Sequence, residues 1–79
     1  MDEHEVIEKL EKIFKKVFYD ETIVLSKEMT ASDVDNWNSL NHMILVSEIE
    51  KDFSIKFKLK ELNKMHNVGD MVDLIISKL

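Results

Sequence analysis

The sequence predicts an all-α fold: a four-helix bundle of three main helices and one short helix, with a long loop between the first and second. Three observations carry that expectation. Apolar residues recur at spacings of three and four in separate stretches, asparagines stand where two of those stretches begin, and the 79 residues include no proline and a single glycine to interrupt a helix. With no linker composition, low-complexity segment or internal repeat, the expectation is one domain spanning 1–79.

The first helix is read from Val6, Ile7, Leu10, Ile13, Phe14, Val17 and Phe18, an apolar stripe with Glu8, Lys9, Glu11, Lys12, Lys15 and Lys16 on the other face. Glu5 with Lys9, Glu8 with Lys12 and Glu11 with Lys15 stand four apart in the favourable order, each adding a few tenths of a kcal/mol, on the order of 0.3. From Tyr19 to Asn38 the period is lost. A loop of that length is functional or pinned, and Ile23, Val24, Leu25, Met29, Val34 and Trp37 are its expected apolar anchors. Thr30-Ala31-Ser32-Asp33 has the pattern of a capping box and predicts one short turn.

The second helix is expected from Ser39 to about Phe53, with Asn38 as its N-cap. Leu45, Val46, Ile49 and Phe53 fall on one arc, while Leu40 and Ile44 fall nearly opposite with Ser47 and Lys51. One apolar face serves the core and a smaller one is left over. Leu59 to Met65 predicts the short third helix. Asn67-Val68-Gly69-Asp70 caps a fourth that carries Val68, Met71, Val72, Ile75, Ile76 and Leu79.

A formal net charge of −5 argues against binding to nucleic acid, which draws its affinity from clustered cations. The lysines of Lys9–Lys16 and Lys56–Lys64 read as solvated faces. There is no cysteine for a disulfide or thiolate metal site, the first residues are acidic, and no apolar run approaches a membrane span. A soluble, cytoplasmic monomer is the expectation.

The chemistry concentrates at Asp35-Asn36-Trp37-Asn38-Ser39-Leu40-Asn41-His42, ahead of a helix ending Glu48-Ile49-Glu50-Lys51-Asp52-Phe53. A serine in the first turn of a helix presents its hydroxyl to solvent, and a phosphate there meets free backbone N–H groups and the positive end of the helix dipole. The plain alternative is a serine that only caps its helix. His42 as base to a Ser39 nucleophile is disfavoured, because neither a Gly-x-Ser-x-Gly elbow nor a placed acid accompanies it, and a position at a core edge or cavity mouth suits it better. A calcium loop counted from Asp33 would need glycine and glutamate where Asn38 and Ile44 stand. His4, His42 and His66 are too scattered in sequence to suggest zinc.

Over nearly its whole length the chain resembles the acyl carrier protein family, in which an Asp-Ser-Leu triplet opens the second helix. Here the triplet is Asn38-Ser39-Leu40. The resemblance implies a carrier and not an enzyme, with 4′-phosphopantetheine, taken from coenzyme A by a phosphopantetheinyl transferase, attached through a phosphodiester to Ser39. Its thiol would hold acyl or aminoacyl groups as thioesters, loaded and removed by separate enzymes. Asp35, Asn38, Leu40, Ile44 and Glu48 are the implied partner-binding residues, with Glu50 and Asp52 extending the acidic part of that surface. Lys51 interrupts it, as suits a carrier dedicated to one pathway. Met43, Val46, Ile49, Leu62 and Met71 are the candidates to line a cavity for an acyl chain, or simply to pack the core. The rival reading is an unmodified helical interaction module that uses the same surface.

Overall fold

In the computed structural model, which describes residues 1–79, α1 spans Glu3–Phe18, α2 Ser39–Phe53, α3 Leu59–Leu62 and α4 Val68–Ser77. A single 3₁₀ turn, Ala31–Asp33, lies in the long loop. There are no strands, as the spacing of apolar residues predicts.

α1 packs against both α2 and α4. Its stripe supplies Val6, Leu10, Ile13, Phe14 and Phe18 to a cluster of 16 buried residues, joined by Leu45, Ile49 and Phe53 from α2 and by Val68, Met71, Val72 and Ile75 from α4. Each such side chain contributes about 1.5–3 kcal/mol by leaving water, so these three faces dominate stability. Lys9 fastens α1 to the end of α2: its Nζ donates to the Asp52 carbonyl at 3.1 Å and lies 4.6 Å from the centre of the Phe53 ring. Of the three Glu–Lys pairs expected along α1, only Glu11–Lys15 forms, at 3.6 Å. Glu8 turns instead to His4.

Both α1 and α2 end in a left-handed residue that is not glycine, Tyr19 at φ 53° and Ser54 at φ 55°. In each case the chain turns back so that two successive N–H groups reach one carbonyl, Lys15 or Glu50. The second turn drives Ile55 into the core.

The long loop is pinned as expected. Ile23, Leu25 and Val34 are buried, and Met29 and Trp37 pack on the cluster. Val24 departs from the expectation: it is 76% exposed, because the extended chain alternates its side chains between Ile23 and Leu25. Backbone bonds add to the pinning. Leu25 N–H donates to Glu11 Oε2 at 3.0 Å, and the N–H groups of Val68 and Gly69 donate to the Met29 and Lys27 carbonyls, each at 2.9 Å. Gly69 eases this approach, since a Cβ there would lie 3.2 Å from the Lys27 carbonyl oxygen and the loop would have to give by a few tenths of an ångström. The Thr30 box forms, with Thr30 N–H donating to Asp33 Oδ2 at 2.9 Å.

Two helices are shorter than their apolar residues suggest. α3 stops at Leu62, not Met65, because the chain tightens into i→i−3 bonds at Lys64 and Met65 before Asn67 takes the extended conformation that caps α4. α4 stops at Ser77, and Lys78 and Leu79 bond three residues back. Ile76 and Leu79 are exposed, so neither belongs to the core.

Candidate functional site

Asn38 starts α2 by accepting the Asn41 N–H on its side-chain oxygen at 2.9 Å. Asn41 returns the link by donating to the Asn36 carbonyl at 2.7 Å. Asn36 itself sits at φ 69°, a conformation asparagine tolerates. These contacts set the corner from which the helix leaves, and Ser39 is its first residue. Ser39 is exposed. Its hydroxyl makes no hydrogen bond within the protein, the N–H groups of Ser39 and Leu40 are free of protein acceptors, and no acidic residue stands in the first turn. An anion attached to this oxygen would therefore meet open donors and the positive helix end.

Capping predicts the behaviour of Asn38. Asn38→Ala should cost about 1 kcal/mol in chemical unfolding, and Asn38→Asp only a few tenths, on the order of 0.3, since either side chain accepts the same bond. Equal losses in the two variants would contradict the capping role.

Trp37 precedes the cap and is partly buried, as expected. It meets Phe14 edge-on, with ring centres 5.2 Å apart at 86°, and Phe18 at 6.1 Å. Its Nε1–H donates to His42 Nδ1 at 3.0 Å, with the two ring planes within 18° of each other and their centres 6.1 Å apart. Burial pushes the His42 imidazole below the ordinary value of 6.5. As pH falls through about 6.5, the unfolded chain takes up a proton that folded His42 refuses, so stability declines until pH reaches the lowered folded value. Urea midpoints at pH 7.5 and 5.5 should therefore fall further for wild type than for His42→Gln. Parallel declines would contradict this.

A cleft of about 580 Å³ opens beside Ser39, between the start of α2 and the α3 region. Ala31, Trp37, Asn38, Ser39, His42, Met43, Leu59, Leu62, Asn63, Met65 and His66 line it. Met43 and Leu62 are where the sequence places them, and His42 lies at the cavity mouth. Val46, Ile49 and Met71 follow the other reading and pack the interior, Ile49 and Met71 within the main cluster and Val46 outside it. On α2, Val46 and Ile49 point to the interior, whereas Met43 lines the cleft. Leu59, Asn63, Met65 and His66 escape the sequence reading. The apolar spacing of 59–65 was their signal, but which side it turns to Ser39 depends on tertiary packing. His4, His42 and His66 do not gather, and no group of three metal-binding side chains forms.

The surface beyond the cleft carries exposed apolar side chains. Leu40 is 72% exposed, Ile44 44% and Met43 53%, so the loop does not fold back over them, and Asp35 is exposed nearby. Glu48 is occupied, binding Lys16 of α1 at 3.2 Å, and Glu50 accepts the Phe57 N–H at 2.8 Å. Asp52 remains exposed. No helix is long and apolar enough to cross a membrane.

No protein-family model matches the chain. Among solved structures, the chain is similar to the holo acyl carrier protein of Geobacter metallireducens, solved by solution NMR, with a TM-score of 0.88 and 46% sequence identity. The match covers 92% of this chain and 84% of that one. With identity of this order over most of its length, the chain belongs to the acyl carrier protein family and is a carrier, not an enzyme.

Proposed function

We propose that residues 1–79 form one monomeric carrier domain that bears 4′-phosphopantetheine on Ser39 and holds acyl or aminoacyl groups on its thiol. The observation that carries the reading is the exposed, unbonded Ser39 hydroxyl at the start of α2, beside the cleft. These residues fit the arm. The open N–H groups of Ser39 and Leu40 suit its phosphodiester, and Met43, Leu59, Leu62 and Met65 suit its methylene and dimethyl groups. When attached, the arm supplies a thiol for thioester exchange. The protein's own residues position and shelter it.

Exposed Leu40 and Ile44, with Asp35 and Asn38 at the rim, form the surface on which a phosphopantetheinyl transferase and cargo-handling enzymes would dock. Glu48 stands there paired with Lys16, whose ammonium offsets its charge locally. A cytoplasmic setting accords with enzymes that draw on coenzyme A. Incubation of the wild type with coenzyme A and a broad-specificity transferase should add the mass of one arm. A chain left unmodified by several transferases would favour the rival, an interaction module that works through the same exposed residues alone.

A further inference from the structure

We propose that His42 is the hydrogen-bond donor that holds the arm in the cleft: its Nε2–H binds an oxygen of the arm segment nearest Ser39, and Trp37 fixes the imidazole for that task. This rests on the reading that Ser39 carries the arm.

The tautomer follows from donor chemistry. An indole Nε1–H can only donate, and it lies 3.0 Å from His42 Nδ1, so Nδ1 presents a lone pair. A neutral imidazole has one ring proton, which must then be on Nε2. Burial favours this neutral form. No protein group accepts from Nε2, although the ring is half-buried and lines the cleft. An open donor in a partly desolvated place calls for an acceptor.

Position names that acceptor. Residues three apart on a helix stand about 5–6 Å apart at Cβ, so His42 reaches the atoms attached first to the Ser39 oxygen. Those atoms are rich in acceptors: phosphodiester oxygens, then a hydroxyl, then an amide carbonyl. Met43, Leu62 and Met65 shelter the arm's apolar groups, but an apolar wall does not orient a chain. One directed donor near the anchor does. Trp37, bonded to Nδ1 through its indole N–H with the two ring planes near parallel, limits the imidazole's rotation and acts as a positioning residue.

The test compares apo and holo protein by NMR of the imidazole nitrogens, with intact mass confirming one arm in the holo sample. Attachment should shift the His42 Nε2 and Hε2 resonances and leave those of His4, far along α1, in place. Contacts seen as NOEs between the arm's dimethyl and amide protons and the methyl groups of Met43 and Leu62 should be lost in His42→Phe and kept in His42→Gln, which restores a side-chain N–H. His42 resonances that coincide in apo and holo protein of confirmed mass would overturn the inference, as would undiminished contacts in folded His42→Phe. Failure to gain the arm at all would instead overturn the reading of Ser39. Should His42→Phe not fold, the wild-type comparison decides alone.

Discussion

Replacing Trp37 with alanine should destabilise the protein by about 3 kcal/mol, enough to lower the melting temperature by roughly 12–24 °C. The indole meets three parts of the fold at once. It meets Phe14 and Phe18 of α1, donates to His42 of α2, and ends the loop just before the Asn38 cap. Truncation would open a void against two aromatic rings and leave His42 Nδ1 without its donor, adding an unmet acceptor to the lost packing. Trp37→Phe should cost less, because it keeps most of the ring contact and loses only the hydrogen bond, worth about 1 kcal/mol. Thermal and urea unfolding of both variants would check the order. A loss under about 1 kcal/mol for Trp37→Ala would reduce the indole to a surface contact and remove the argument that it pins the loop.

The second large effect is chemical. Ser39→Ala should abolish arm attachment while leaving stability within about 0.5 kcal/mol of wild type. The hydroxyl is exposed and makes no hydrogen bond, and the cap of α2 is Asn38, not Ser39. Function and fold thus separate at this residue. A variant that unfolds would show that Ser39 supports the helix, contrary to the bonds seen, and the plain capping role would regain its force. A folded Ser39→Ala that still accepts an arm would move the attachment to another serine. Neither measurement needs the cargo-handling enzymes, because intact mass reports attachment and unfolding reports stability.

How far the sequence reveals this molecule differs by element. The buried faces of α1, α2 and α4 were legible because a helix forces residues three and four apart onto one side, and Leu10, Leu45 and Met71 all lie where that rule puts them. Asn38 and Asn67 were legible as caps because capping is local. The ends of α3 and α4 were not. Met65 and Leu79 continue an apolar spacing, but the backbone there has already tightened to i→i−3 bonds. Val24 misled for a different reason: in an extended loop, apolar character does not say which side of the chain faces inward.

The site was half legible. Ser39, Met43 and Leu62 could be placed from helix geometry and the family resemblance, and His42 at the cavity mouth from its arc. The bond from Trp37 to His42 spans the helix start, where no simple period applies. The pairing of Glu48 with Lys16 joins residues 32 apart in sequence, so the acidic face read along α2 alone overstated the free charge. Contacts of that kind depend on how α1 lies against α2, and a single helix does not encode it.

All six serines of the chain, Ser26, Ser32, Ser39, Ser47, Ser54 and Ser77, are exposed, so exposure does not select the one that carries the arm. Ser39 is set apart by two features together: the first turn of a long helix and the wall of the cleft. Tandem mass spectrometry of the transferase-treated protein, mapped peptide by peptide, tests that selection most directly. The arm should be found on Ser39 alone, at one per chain. An arm on any of the other five serines, or spread among several, would contradict the account.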